Sequence, residues 1–99
     1  MIPGPNEQTD RLFEAILALE SVEECRSFFE DICTVKEIRA IAQRMDVARL
    51  LDQGQSYQKA IAATGASSAT ISRVKRCLDY GAGGYRLVLD RLYGKEAAP

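Results

Sequence analysis

Hydrophobic residues recur every three or four positions along most of the chain, the spacing that one face of an α-helix requires. The first such stripe contains Leu12, Phe13, Ile16, Leu17 and Leu19 and predicts a helix from about residue 10. No segment alternates between hydrophobic and polar residues with the period of two that a half-buried strand would show. The pattern therefore predicts an all-α fold.

Two short motifs mark the starts of the next helices. Ser21 is followed three positions later by Glu24, and Thr34 is followed in the same way by Glu37. In such a pair the hydroxyl and the carboxylate each accept a hydrogen bond from a backbone amide that the first helical turn would leave unpaired. We expect a second helix after residue 21 and a third, longest helix that stops at Gly54, because glycine readily adopts the left-handed conformation of a helix end.

Two short helical patterns follow, at residues 56–64 and 67–80, and only Gly65 and Ala66 separate them. Two helices can cross steeply over so short a turn only if small residues pack between them. The segment over residues 56–80 therefore predicts a helix-turn-helix. Its expected inner face consists of Ala60, Ile61, Ala63, Ile71, Val74 and Leu78. A last amphipathic pattern at residues 84–93 brings the predicted number of helices to six.

The outer face of the second short helix carries small polar residues first and basic residues after them. A recognition helix presents its N-terminal residues to base edges, where short side chains allow close approach, while longer basic side chains reach phosphates or guanine. Helix N-termini also favour nearby phosphates. We expect Ser67 to be the N-cap of this helix. The predicted DNA-binding residues are Gln58, Lys59, Ser67, Ser68, Ala69, Ser72, Arg73, Lys75 and Arg76. An ordinary helical hairpin with a solvated basic face remains the alternative.

The net charge of -1 conceals two halves of opposite sign. Residues 1–52 contain eleven acidic and six basic residues, whereas residues 53–99 contain seven basic and three acidic ones. A basic C-terminal half suits a nucleic-acid surface, although a solvated face could have the same charge. The chain has no histidine, and Cys25, Cys33 and Cys77 are widely spaced. We therefore expect no enzymatic activity, metal site or disulfide.

A chain of 99 residues supports one compact domain with a modest core. We predict that this domain spans residues 10–93, between a flexible arm at residues 1–9 and a loose tail at residues 94–99. No signal peptide or membrane-spanning stretch is evident, so we expect a cytoplasmic protein without a membrane partner. The first two helices carry more large apolar side chains than a short bundle needs to bury, which predicts a homodimer.

The chain resembles the tryptophan repressor family over about residues 10–93. The likeness rests on the third helix, on Gln58-Lys59 and Gly65-Ala66, and on the run Ala69-Thr70-Ile71-Ser72-Arg73. Residues 80–85 and 88–92 resemble the tryptophan-repressor-related branch known as YerC/YecD. The resemblance implies a six-helix protein that forms an intertwined homodimer through residues 10–54 and 84–93. Each subunit would present its helix-turn-helix, residues 56–80, to a palindromic operator in double-stranded DNA.

The resemblance also implies a possible small-ligand pocket. Its residues here would be Thr34 of the partner subunit together with Arg44, Thr70, Arg73, Val74 and Cys77. Val74 stands where the family has a glycine against the indole ring of tryptophan, and Cys77 where it has a serine near the amino group of the ligand. Overfilling a packed site costs about 1–3 kcal/mol. We therefore expect no cofactor, with Val74 holding the helix-turn-helix in place without tryptophan.

The sequence leaves three functions open. The first is a dimeric, sequence-specific transcription regulator, in the form of a repressor that does not need tryptophan. The second is a regulator gated by another small ligand, for which Arg44 could bind an anion unless it pairs elsewhere in the dimer. The third is a helical protein-interaction module that keeps the shape of a helix-turn-helix without binding DNA.

Overall fold

The computed structural model describes residues 4 and 6–94, which form six α-helices and a final π-helical turn. The α-helices are α1 (Glu7–Leu17), α2 (Val22–Ile32), α3 (Val35–Asp52), α4 (Tyr57–Thr64), α5 (Ser68–Tyr80) and α6 (Gly84–Leu89), and the π-helical turn spans Asp90–Gly94. The described residues contain no strand. The all-α class and the predicted number of helices are confirmed.

Helix α1 begins earlier than its hydrophobic stripe predicts. The Asn6 side chain accepts a hydrogen bond of 2.8 Å from the backbone amide of Thr9 and so caps the helix. Residues 7–9, which we expected in a flexible arm, are therefore helical, because a polar cap can start a helix before its apolar face begins. The rest of the predicted arm, at residues 1–3 and 5, lies outside the described residues, as do residues 95–99 of the predicted tail.

The two predicted capping motifs both form. The amide of Glu37 donates to Thr34 Oγ1 at 3.1 Å, and the amide of Thr34 donates to Glu37 Oε1 at 2.8 Å. At α2 the amide of Glu24 donates to Ser21 Oγ at 3.1 Å, while Glu24 Oε1 accepts from the amide of Glu20 at 2.9 Å. These bonds pair amides that have no partner within the helix. They fix the starts of α2 and α3.

The chain divides between Ile38 and Arg39, within α3, into two compact units. The first unit contains α1, α2 and the start of α3. Neither α1 nor α2 contains a buried residue, and Leu17 and Val22 are 84% and 70% exposed. The amphipathic patterns of α1 and α2 thus leave apolar faces uncovered within this chain. The single domain expected over residues 10–93 stays a prediction.

The second unit contains the buried hydrophobic core. Its buried residues are Val47, Ala48 and Leu51 of α3, Ala60 of α4, Ala66 of the following turn, Ile71 and Val74 of α5, and Leu89 of α6. The expected inner positions Ile61 and Ala63 are wrong, because Ile61 is 36% exposed and Ala63 is exposed as well. Helix α4 is short and buries only Ala60, and the next residue points about 100° further around the helix.

The last helix is shorter than its hydrophobic pattern predicts. The segment at residues 84–93 is α-helical only to Leu89, and the chain then widens into the π-helical turn. A Cβ atom at Gly94 would lie 2.9 Å from a carboxylate oxygen of Asp90, a side chain that can shift to make room. No helix among the described residues has the length and apolar character to cross a membrane.

Candidate nucleic-acid interface

Helices α4 and α5 form the predicted helix-turn-helix around a turn of three residues. Gly65 has a φ of +74°, in the left-handed region that glycine enters without steric penalty, and its amide donates to the carbonyl of Ile61 at 2.8 Å. Ala66, the middle residue of the turn, is buried. Ser67 Oγ then accepts from the amide of Thr70 at 3.1 Å, which confirms Ser67 as the N-cap of α5.

Helix α5 has one apolar side and one polar side. Ile71 and Val74 are buried, and Leu78 packs partly against the same core. Most of the predicted DNA-binding residues of α5 and its cap are exposed, namely Ser67, Ser68, Ala69, Ser72, Arg73 and Arg76. Since 3.6 residues form one helical turn, the polar residues share the side opposite Ile71 and Val74. Their contact with DNA stays a prediction.

Lys75 differs from the other basic residues of α5. It is half-buried, and its Nζ atom lies 3.4 Å from Oδ1 of Asp79, one helical turn further on. Within residues 6–94, by contrast, neither Arg73 nor Arg76 has a carboxylate within 4.0 Å. In the free protein Asp79 therefore partly neutralises one of the bases expected to reach DNA.

The start of α4 presents further polar groups. Ser56 Oγ accepts from the amide of Lys59 at 3.1 Å and caps the helix. Gln58 and Lys59, both predicted to bind DNA, are exposed in the first turn. Tyr57 beside them is 42% exposed. Exposed donors at a capped helix N-terminus are well suited to a phosphate group.

Three of the predicted small-ligand residues, Arg44, Arg73 and Cys77, influence the phenol of Tyr85, a residue of the last predicted amphipathic segment. Burial raises the pKa of the Tyr85 phenol and the neighbouring Cys77 raises it further, whereas the positive charges of Arg44 and Arg73 lower this pKa. At neutral pH the phenol is therefore protonated and can donate a hydrogen bond. Arg44 has no carboxylate within 4.0 Å among the described residues. This group of side chains could accept a small anion.

The remaining residues of the expected pocket have structural partners. Val74 is 1% exposed and belongs to the core of the second unit. Thr70 is half-buried, and its Oγ1 atom accepts a hydrogen bond of 3.1 Å from the Ser67 hydroxyl. Thr34 belongs to the first unit and caps α3. Residues 6–94 contain no group of Cys, Asp and Glu side chains that could hold a metal ion.

Two polar contacts of the second unit cannot be predicted from the hydrophobic pattern. Gln43 Nε2 donates to the backbone carbonyl of Thr64 at 3.1 Å. Arg86 lies 2.7 Å from Asp52 Oδ1 and 3.4 Å from Asp90 Oδ1, and these partners raise the pKa of its guanidinium still further above its ordinary value. The spacing of four residues could have indicated the ion pair of Arg86 with Asp90. No local pattern predicts the contact of Arg86 with Asp52 or of Gln43 with Thr64.

Comparison with known proteins finds the resemblance to the tryptophan repressor family along nearly the whole chain. The family model described as Trp repressor protein matches residues 7–93. Protein YerC of Bacillus subtilis (strain 168) is 54% identical over 89 residues, which cover 90% of this chain and 86% of YerC. A crystal structure of a Trp repressor candidate from Staphylococcus aureus has a TM-score of 0.86 and 49% identity, and the match covers 89% of this chain and 88% of that chain.

A second crystal structure, of a TrpR-like protein from Eubacterium eligens, has a TM-score of 0.85 and 46% identity. This match covers 88% of the present chain and 90% of the other. At such identities and coverage, the shared fold includes the helix-turn-helix as well as the N-terminal helices.

Proposed function

The chain belongs to the Trp repressor protein family, a family of DNA-binding regulators, and from this premise we propose that it is a sequence-specific transcriptional repressor. In this proposal it binds a palindromic operator as a homodimer and does not need tryptophan. The observation that carries the proposal is helix α5, which has a buried apolar side and an exposed side of short polar and basic residues.

The exposed side of α5 suits entry into the major groove. Ser68, Ala69 and Ser72 are short, so the helix backbone can approach the base edges closely. Arg73 and Arg76 follow them and have no carboxylate partner within the described part of the chain, so both guanidinium groups are available for phosphate oxygens or guanine. Gln58 and Lys59 on α4 would add contacts to the DNA backbone.

The uncovered faces of the N-terminal helices support the homodimer. The exposed apolar side chains of α1 and α2 include Leu12, Phe13, Leu17, Val22 and Ile32, and those of the C-terminal segment include Leu87, Val88 and Leu92. Burial of apolar area contributes about 25 cal/mol per Å², so a second copy of the chain that covers these faces would be strongly favoured. A two-fold dimer places two identical helix-turn-helix units on the DNA, about 34 Å apart, and therefore requires a near-palindromic site.

The position of Val74 is the reason for proposing independence from tryptophan. The side chain is 1% exposed and packs in the core of the second unit with Ile71 and Ala48. A tryptophan ring against α5 at this position would have to displace the valine, and overfilling a packed interior costs about 1–3 kcal/mol. Val74 would instead keep α5 in place permanently.

Selection of bound sites from random duplex DNA tests this proposal. We expect a near-palindrome whose half-sites lie one helical turn apart. Binding should also weaken steeply with salt, by a log–log slope of about 0.9 for each phosphate neutralised. A protein-interaction module would instead enrich no sequence and show little salt dependence. Calorimetry with tryptophan should detect no heat of binding, and micromolar affinity would contradict the proposed independence.

The side chains around Tyr85 favour a second candidate function, a regulator gated by a small anion. Arg44 and Arg73 are both exposed, and neither has a carboxylate partner within residues 6–94. A thermal-shift screen of anionic metabolites would test this candidate. A rise in melting temperature that Arg44→Ala abolishes would support it, and the absence of any such rise would favour the ungated repressor.

A further inference from the structure

The amide of Gln43 reaches from α3 to the turn of the helix-turn-helix. Its Nε2 atom donates a part-buried hydrogen bond of 3.1 Å to the carbonyl of Thr64, which lies 21 positions further along the chain. Among the hydrogen bonds and ion pairs of residues 6–94, this is the one polar link between α3 and the α4–α5 pair. The residues that α3, α4 and α5 contribute to the buried core are all apolar.

The acceptor lies at the point where the chain changes direction. Thr64 is the last residue of α4, so its carbonyl has no partner within that helix. The Thr64 hydroxyl donates to the carbonyl of Ala60 at 2.6 Å and accepts from the amide of Ala66 at 3.2 Å. Gln43 therefore adds a bond from α3 to a turn that the Thr64 hydroxyl already links to α4.

A directional contact matters here because the apolar contact of α4 is small. Ala60 is the only buried residue of α4, and a methyl group resists rotation of the helix weakly. Helix α5 contains 13 residues and is about 20 Å long. A tilt of about 10° about the buried Val74 would move Ser68, at the base-reading end of the helix, by about 1.5 Å, more than a hydrogen bond to a base edge tolerates. Base contacts would be lost before phosphate contacts, which tolerate longer and more varied geometry.

We propose that Gln43 is a positioning residue that locks the helix-turn-helix onto α3 in the orientation needed to read bases. This inference rests on the proposed DNA-binding function. Loss of the Gln43 donor would weaken binding to the selected operator by about fivefold to tenfold, the factor that corresponds to one hydrogen bond. Binding to random duplex would change little, because phosphate contacts supply nearly all of it.

The test compares Gln43→Ala and Gln43→Glu with the control Gln53→Ala in the full chain. Glutamate has the shape of glutamine, but its carboxylate cannot donate to the Thr64 carbonyl. Gln53 is exposed just beyond α3, and its side chain makes no hydrogen bond within residues 6–94. The first measurement is hydrogen exchange at the amides of Gly65 and Ala66 without DNA. We expect severalfold faster exchange in both Gln43 variants and no change in the control.

The second measurement is the affinity of each variant for the selected operator and for random duplex. We expect the ratio of the two affinities to fall in both Gln43 variants while the salt slope stays constant. Equal weakening on both duplexes, or exchange rates like those of Gln53→Ala, would contradict the proposed positioning role of Gln43. If Gln43→Ala does not fold, Gln43→Glu decides by the same two criteria. If the wild-type chain binds no duplex, the proposed function fails, while hydrogen exchange still shows whether Gln43 holds the turn.

Discussion

Val74 belongs to the core of the second unit, and it is also the reason for proposing independence from tryptophan. Val74→Ala would remove two methyl groups from the core of the second unit, each worth about 0.8 kcal/mol, and would leave a small void. We expect the free energy of unfolding to fall by about 2 kcal/mol in urea titrations. Ser72→Ala, on the exposed side of the same helix, should change it by less than about 0.5 kcal/mol. Equal effects would contradict the placement of Val74 in the core.

The ion pair of Lys75 with Asp79 predicts that one acidic residue restrains DNA binding. Asp79→Asn would free the Lys75 ammonium, now 3.4 Å from the carboxylate, to contact a phosphate. We expect roughly twofold to thirtyfold tighter binding to the selected operator, since exposed ion pairs are worth about 0.2–1 kcal/mol each and the proposed dimer has two of them. The salt slope should rise by about 1.8, because each subunit of the proposed dimer gains one phosphate contact worth about 0.9.

Fluorescence anisotropy over a range of salt concentrations would measure both quantities. Glu30→Gln is the control, because it also removes one negative charge but lies on α2, outside the helix-turn-helix. An equal gain of affinity in Glu30→Gln would mean that net charge, and not release of Lys75, is responsible.

The sides of α5 could be predicted from the sequence because helical periodicity alone separates Ile71 and Val74 from Ser68 and Ser72. The hydrogen bond of Gln43 could not be predicted in this way. It depends on the fold bringing two distant parts of the chain within 3.1 Å. A local pattern has no information about such a partner.

At the scale of whole elements, polar caps determine the start of a helix more closely than hydrophobic stripes do. The pairs Ser21 with Glu24 and Thr34 with Glu37 were recognisable because both members lie within one helical turn. The hydrophobic stripe predicts a start of α1 that is too late, because the cap formed by Asn6 with the amide of Thr9 lies ahead of the apolar face. The α-helical part of the last segment ends at Leu89 although its hydrophobic pattern continues to Leu92, so periodicity does not predict this end.

The cap of α3 predicts a local dependence on pH. The hydrogen bonds from the backbone amide and the hydroxyl of Thr34 lower the pKa of the Glu37 carboxyl, since they favour its charged form. The cap therefore stabilises the helix start above the ordinary pKa of glutamate, and this stabilisation is lost as the pH falls through the lowered value. NMR should show reduced protection from amide exchange at residues 34–38, relative to the intrinsic exchange rate at each pH, over that acidic range.

Glu37→Gln keeps a side chain that can cap the helix but cannot titrate, so the acidic transition at residues 34–38 should disappear. Glu30→Gln, whose side chain caps no helix in the described structure, should leave the transition in place. A transition that persists in Glu37→Gln would assign it to another group.

At the scale of the whole molecule, the surplus of apolar residues in α1 and α2 was evident from the sequence, and the structure leaves both helices without a buried residue. A single sequence does not say where such a face docks, because the covering surface would belong to another copy of the chain. The proposed homodimer would cover the exposed leucines of α1, and its two-fold axis would require the proposed operator to be palindromic.

The homodimer predicts a selective effect of charge on the apolar face of α1. Leu17→Lys places a cation in the last helical turn, where it suits the helix dipole, but the lysine cannot replace the 84% exposed leucine at an apolar interface. Two such changes in each dimer would remove about 3 kcal/mol or more of apolar burial and weaken self-association more than a hundredfold. Sedimentation velocity at micromolar concentration should then detect monomers, and the melting temperature should depend more strongly on protein concentration.

Ala18→Lys adds the same side chain one position later, where it points to the polar side of α1, and this variant should remain dimeric. Because a monomer carries one helix-turn-helix, site selection with Leu17→Lys should recover single half-sites instead of palindromes. Unchanged association and unchanged palindromes in Leu17→Lys would mean that no second subunit covers this face. The symmetry of the operator would then need a source other than α1.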